Sequence, residues 1–255
     1  MSHFAVLVIG ENIEEQLAPY QENNMGDCPQ EYLEFNVEVP KEEVKDYVKK
    51  SLETMKGSDK VKCSKMTDEQ FMKKYAGFIP NDDGDYGFLI NPDSRWDWWV
   101  IGGRWRGYFK LKPGKKGVVG DRTFDDKGDK RMWPGGVDQA RKGDIDFDGM
   151  RRLKLKEARE NWKKYTALQD KDTREKEAYR LEIEQGDTKE KYMKRMASIA
   201  TFGVVKDGQW YEKGQMGWWG IVRDKKEDEA WQEEFDKLLE GLPDDTLLTV
   251  IDCHV

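Results

Sequence analysis

Residues 96–109, WDWWVIGGRWRGYF, hold four of the chain's ten tryptophans together with two arginines and three glycines. Guanidinium groups match phosphate and carboxylate oxygens two at a time and also stack on aromatic faces. An indole stacks a nucleobase at roughly 1–3 kcal/mol per base. Trp98, Trp99, Arg104, Arg106 and Tyr108 supply both kinds of contact, and Gly102 and Gly103 permit close backbone approach. Downstream of Gly103 the residue types alternate. Arg104, Arg106, Tyr108, Lys110 and Lys112 share one face of an extended segment, and Trp105, Gly107, Phe109 and Leu111 the other. Period-two alternation predicts a half-buried strand with a cationic outer face. In that reading Arg104, Arg106 and Lys110 hold the phosphates of a nucleotide-like anion. Trp98, Trp99 or Tyr108 stacks on its base, and Trp218 and Trp219 of GWWG (217–220) form a second wall. The competing reading is a core strand with a solvated basic face.

The two histidines, His3 and His254, lie near opposite ends of the sequence. If the strands that carry them pair antiparallel, they meet at one end of a sheet, with Asp252 and Cys253 close by. His3, His254 and Asp252 would then be a candidate divalent-metal or acid–base set. DIDFDG (144–149) has the opening acids of a calcium loop, but the twelfth position is Leu155 where a glutamate is required, which argues against an EF-hand. Asp144 and Asp146 remain candidates for holding magnesium beside a phosphate. The sequence has no P-loop, no dinucleotide fingerprint and no Ser-His-Asp motif.

These groups need a scaffold. Phe4–Ile9 (FAVLVI) is a nearly continuous apolar run closed by Gly10, as for a strand buried on both faces. Residues 246–253 form its counterpart at the other end of the chain. The spacing predicts helices over 40–56, from Thr67, and around Trp231–Leu239, with a hairpin turn at Asp207-Gly208. The fold class expected is α+β: a mainly antiparallel sheet with the N- and C-terminal strands central and helices flanking it. The expected organisation is one sheet domain over 1–148 and 198–255. A Lys/Glu-rich helical hairpin, 149–197, is inserted into it.

Composition bounds the partners. The net charge is −7 over 255 residues, so extended nucleic acid is not the expected ligand. The charge is uneven. Residues 11–46 carry eleven acids against two bases, 95–122 eight bases against two acids, and 207–252 thirteen acids against five bases. A local basic field in an acidic chain suits a bounded anion. Cys28, Cys63 and Cys253 are widely spaced and odd in number, which fits a reducing compartment. The apolar start is too short for a membrane span or a secretory signal, so the expected location is cytoplasmic.

MSHFAVLVIGENIEEQLAPYQEN, WDWWVIGGRWRGYF, DQARKGDIDF, GQWYEKGQMGWWG and LPDDTLLTVIDCHV resemble a family of uncharacterised bacteriophage and prophage proteins, from the first residue to the last. The resemblance implies a phage gene product in the cytoplasm of a bacterial host, and it transfers no catalytic residue. By analogy, it makes capture of a host defence nucleotide the leading expectation. The alternatives are a metal-dependent phosphodiesterase or nuclease, and an inhibitor of a host protein acting through 151–195 or an acidic face. A homo-oligomer is compatible with each.

Overall fold

The computed structural model describes residues 2–122, 131–217 and 220–255. In chain order the principal elements are β1 (His3–Ile9), α1 (Ile13–Leu17), β2 (Glu34–Val39), α2 (Val44–Thr54), α3 (Gly57–Cys63), α4 (Asp68–Phe71), β3 (Ile79–Pro80) and β4 (Tyr86–Ile90). Then come β5 (Trp98–Ile101), β6 (Gln139–Arg141), α5 (Phe147–Ala167), α6 (Lys171–Arg180), α7 (Lys189–Met196), β7 (Gly203–Lys206), β8 (Gln209–Glu212), β9 (Gln215–Met216), β10 (Val222–Arg223), α8 (Asp228–Leu239) and β11 (Leu247–His254). The fold is α+β. No described helix is long and apolar enough to cross a membrane.

The chain divides into two compact units, Met1–Leu17 with Arg95–Val255, and Ala18–Ser94. This boundary differs from the expected one. Residues 18–94 bury a core of their own, and 149–197 belong to the larger unit.

In the larger unit the sheet runs β5–β11–β1–β7–β8, with β6 also on β11. The terminal strands are central, as expected. β1 and β11 pair antiparallel from His3↔His254 to Ile9↔Leu248. The β1–β7 pair is parallel, so the sheet is mixed. One face carries Ala5, Leu7, Ile9, Val204, Leu248 and Val250. It is covered by Trp231, Phe235 and Leu239 of α8 together with Phe109, Ile145 and Met150. Burying a side chain of this size stabilises by about 1.5–3 kcal/mol, so this layer dominates the stability of the unit. The β7–β8 turn uses Asp207 and Gly208 at φ +53° and +74°, a type I′ pattern.

Residues 149–197 form three helices rather than a hairpin, with α5 packed on α7. Asp146 caps α5 by accepting from the Gly149 N–H at 2.9 Å, and Asp170 and Thr188 cap α6 and α7. Of the DIDFDG acids, Asp146 and Asp148 therefore serve a helix start, and Asp144 pairs with Lys115 at 2.8 Å. Around GWWG the described residues include β9 and β10, and Trp218 and Trp219, the expected second aromatic wall, lie outside the described residues.

In the smaller unit β2, β4 and β3 form an antiparallel sheet, and Val39, Val44, Val48, Phe71, Met72 and Phe78 form the core. α4 opens at Thr67 as expected, and a capping box closes its start, the Thr67 side chain and backbone exchanging hydrogen bonds with Gln70.

Candidate functional site

Side chains alternate across a strand, so β1, β11 and β5 put His3, His254, Asp252 and Trp98 on one face. They sit at the end of the face whose apolar part packs against α8. His3 Nδ1 lies 2.9 Å from Asp252 Oδ1, and His254 Nδ1 lies 2.6 Å from Asp97 Oδ1. The two imidazole rings meet edge to face with centroids 4.8 Å apart. The Trp98 indole stacks on His254 at 4.9 Å and 16° between planes, and remains 41% exposed. Asp252 is fully buried, and its second oxygen accepts from the Arg104 N–H at 2.9 Å.

The expected meeting of His3, His254 and Asp252 therefore occurs, but not as a ligand cage. Each imidazole uses Nδ1 on a carboxylate. Among the described residues no group of three or more His, Cys, Asp and Glu is placed to hold a metal ion. A carboxylate on Nδ1 fixes ring orientation and leaves Nε2 as the reactive nitrogen, the arrangement used in general acid–base catalysis. Cys253 points to the opposite face, is fully buried, and has its thiol pushed well up by that burial.

The cationic strand does not form. Gly102, Gly103 and Gly107 take φ of +82°, +52° and +73°, and residues 103–105 make a 3-10 turn. These left-handed positions break the alternation that extended backbone would preserve. Within 104–112, Phe109 and Leu111 make isolated bridges to Val137 and Ile145. Arg104 is exposed. Arg106 turns inward, its Nε donating to the Gly120 carbonyl at 3.1 Å. Tyr108 is buried, its hydroxyl donating to the Ile199 carbonyl at 2.7 Å; burial pushes its pKa far above the ordinary phenol value. Lys110 pairs with Asp146, and Lys112 donates to the Gly143 carbonyl at 2.7 Å. Trp98 and Trp99 face opposite sides of β5, so they cannot sandwich one ligand. Phe109 is core as expected, with Trp105 and Leu111 packed at its margin.

Two buried carboxylates shape this turn. Asp252 holds the Arg104 N–H. Asp138, also fully buried, takes the N–H groups of Gly107 (2.6 Å) and Tyr108 (3.1 Å) on one oxygen and of Gly120 (2.8 Å) on the other. Burial raises the Asp138 pKa, opposed by these three donors and by Arg106. The glycines leave the carboxylates room. A Cβ on Gly102 would lie 2.8 Å from Asp138 Oδ2, and one on Gly103 2.4 Å from Asp252 Oδ2. The GGRWRG pattern is thus the imprint of two acids, one of them 31 residues from Gly107 in sequence.

Sequence reasoning passed over Asp97 and Asp138. Asp97 stands inside WDWW and could have been paired with His254 by register. Asp138 sits in a loop region with nothing local to mark it. The flanks of GWWG do approach the histidine end: Ser2 Oγ donates to the Gly217 carbonyl at 3.0 Å and accepts from the Gly220 N–H at 2.6 Å. What the larger unit assembles is an exposed indole, two carboxylate-held imidazoles and an exposed arginine at one end of its central strands. No family model, curated protein or solved structure matches the chain.

Proposed function

We propose that the protein binds a nucleotide-like anionic small molecule at this strand end. The stacked yet exposed Trp98 ring, beside His3 and His254, carries the reading, with Arg104 tied to the same site through Asp252. An indole with one face on His254 is held rigid for stacking a base. Arg104 is the one member of the expected cationic row whose side chain is exposed and whose backbone is fixed by the site itself. Arg106, Tyr108 and Lys110 take no part, because each is occupied within the fold. In the phage context that the motifs imply, the ligand is a host defence nucleotide and its capture blunts the signal.

The paired His–Asp contacts favour a second reading, acid–base turnover of a phosphoester at the same place. One incubation separates the two. Purified protein is mixed with cyclic and linear nucleotides, and melting shift and ligand integrity are read from the same tubes. A ligand that raises the melting temperature and is recovered intact supports capture. A ligand consumed by the wild type and spared by His3→Gln supports turnover. No shift and no consumption, or a shift unchanged by Trp98→Ala with Arg104→Ala, removes the site from consideration.

A further inference from the structure

Away from the histidine end, the larger unit holds a cleft of about 830 Å³, walled by Trp105, Phe202 and Trp231 and by α5, α7 and the start of α8. Its charged lining is balanced, with six Lys/Arg and six Asp/Glu. Three of the six cations are held in ion pairs. Arg195 pairs with Asp187 at 2.6 Å, Lys194 with Glu229 at 2.9 Å, and Lys213 with Asp228.

Lys154 differs. Its ammonium donates to the Ser198 carbonyl at 2.9 Å, and no carboxylate lies within ion-pair distance of it among the described residues. Burial pulls its pKa below the ordinary lysine value. Glu182 and Glu157 act on it only from beyond ion-pair distance and do not offset the burial, so an anion brought into direct contact with this half-buried ammonium is favoured. Next to it, Gln232 receives the Ser198 hydroxyl on its carbonyl oxygen, while its buried amide nitrogen has no hydrogen-bond partner. Such an orphaned buried donor calls for an acceptor that the protein does not supply. At the rim, Glu182 is the left-handed residue that closes α6, with the Ile183 N–H returning to the Ala178 carbonyl at 2.8 Å, and its own carbonyl accepts from the Arg195 guanidinium at 2.7 Å.

We infer that this cleft binds a small zwitterion, its carboxylate or phosphate head on Lys154 and Gln232 and its cationic end among the rim carboxylates. The balance of charge selects the class. A multiply charged anion would meet Glu182, Glu184 and Glu227 on entry, whereas a ligand with one charge of each sign matches floor and rim together.

The test is NMR of side-chain-labelled lysine, with the Lys154 signal assigned by Lys154→Arg. The protein is titrated with 6-aminohexanoate, hexanoate and inorganic phosphate. The expected result is a saturable shift of Lys154, about two- to fivefold tighter for 6-aminohexanoate than for hexanoate, since the rim contact is a solvent-exposed ion pair. Gln232→Glu, which sets a carboxylate beside the ligand head, should abolish it with circular dichroism unchanged. No saturable shift of Lys154 overturns the site. Equal affinity for hexanoate, or strongest affinity for phosphate, overturns the zwitterion. The readout is independent of nucleotide binding at Trp98 and is made on the unaltered chain, so a variant that fails to fold does not obscure it.

Discussion

Asp252 Oδ1 meets His3 Nδ1 at 2.9 Å while Asp252 Oδ2 takes the Arg104 N–H at 2.9 Å, so one fully buried carboxylate ties the two terminal strands to the turn at Gly103. Asp252→Ala strands both groups. Leaving a buried donor unsatisfied costs about 1–3 kcal/mol, and a loss in that range is expected in urea unfolding. Arg104→Ala keeps the backbone N–H and should change stability by no more than about 0.5 kcal/mol. It should nevertheless lower any nucleotide-induced melting shift. If Arg104→Ala destabilises as much as Asp252→Ala, its side chain is structural and the ligand role assigned to it fails.

Gly103→Ala tests the same junction from the backbone side. The residue sits at φ +52°, and its Cβ would stand 2.4 Å from Asp252 Oδ2. Either the turn or the carboxylate must move. A cost of about 1–3 kcal/mol is expected from the strained backbone alone. Displacing Asp252 should also shift the imidazole NMR signal of His3 more than that of His254, which leans on Asp97 instead.

Tyr108→Phe separates the structure from the alternation read in the sequence. A tyrosine on a cationic binding face would be lost at the expense of ligand and not of stability. Here the hydroxyl is buried on the Ile199 carbonyl, so the loss should be about 0.5–1.5 kcal/mol of stability with nucleotide response unchanged.

What was legible in the sequence follows from how far each signal reaches. FAVLVI and TLLTVIDC announce strands buried on both faces because every residue there meets protein, and their pairing brought His3 to His254 without further information. Thr67, Asp207 and Gly208 act within four residues, so the helix start and the turn were readable too. The 104–112 segment misled because alternation counts side chains and not backbone sign. Gly103 and Gly107 are permitted either sign of φ, and which one they take is set by Asp252 and Asp138, each brought close only by the sheet. The unit boundary at 18–94 was illegible for the same reason: it depends on which apolar residues share a core, and periodicity along one segment does not report that.

Asp146 and Asp138 should pull the pH dependence of stability in opposite directions. The hydrogen bond from Lys110 holds the Asp146 carboxyl below its ordinary value of 3.8, with smaller help from the Gly149 N–H and Arg152. A depressed folded pKa contributes stability that is present above the unfolded value and is lost as pH falls through the folded one. Asp138 is raised by burial, so it weakens the fold progressively as pH climbs from the ordinary carboxylate range through its own higher pKa. Asp146→Asn removes the ion pair but leaves a side-chain oxygen for the α5 cap. Urea midpoints of wild type and Asp146→Asn should therefore differ most near neutral pH and converge in acid below 3.8. A gap of constant size across that range would show that Asp146 acts through its cap, and that the Lys110 contact contributes nothing to stability.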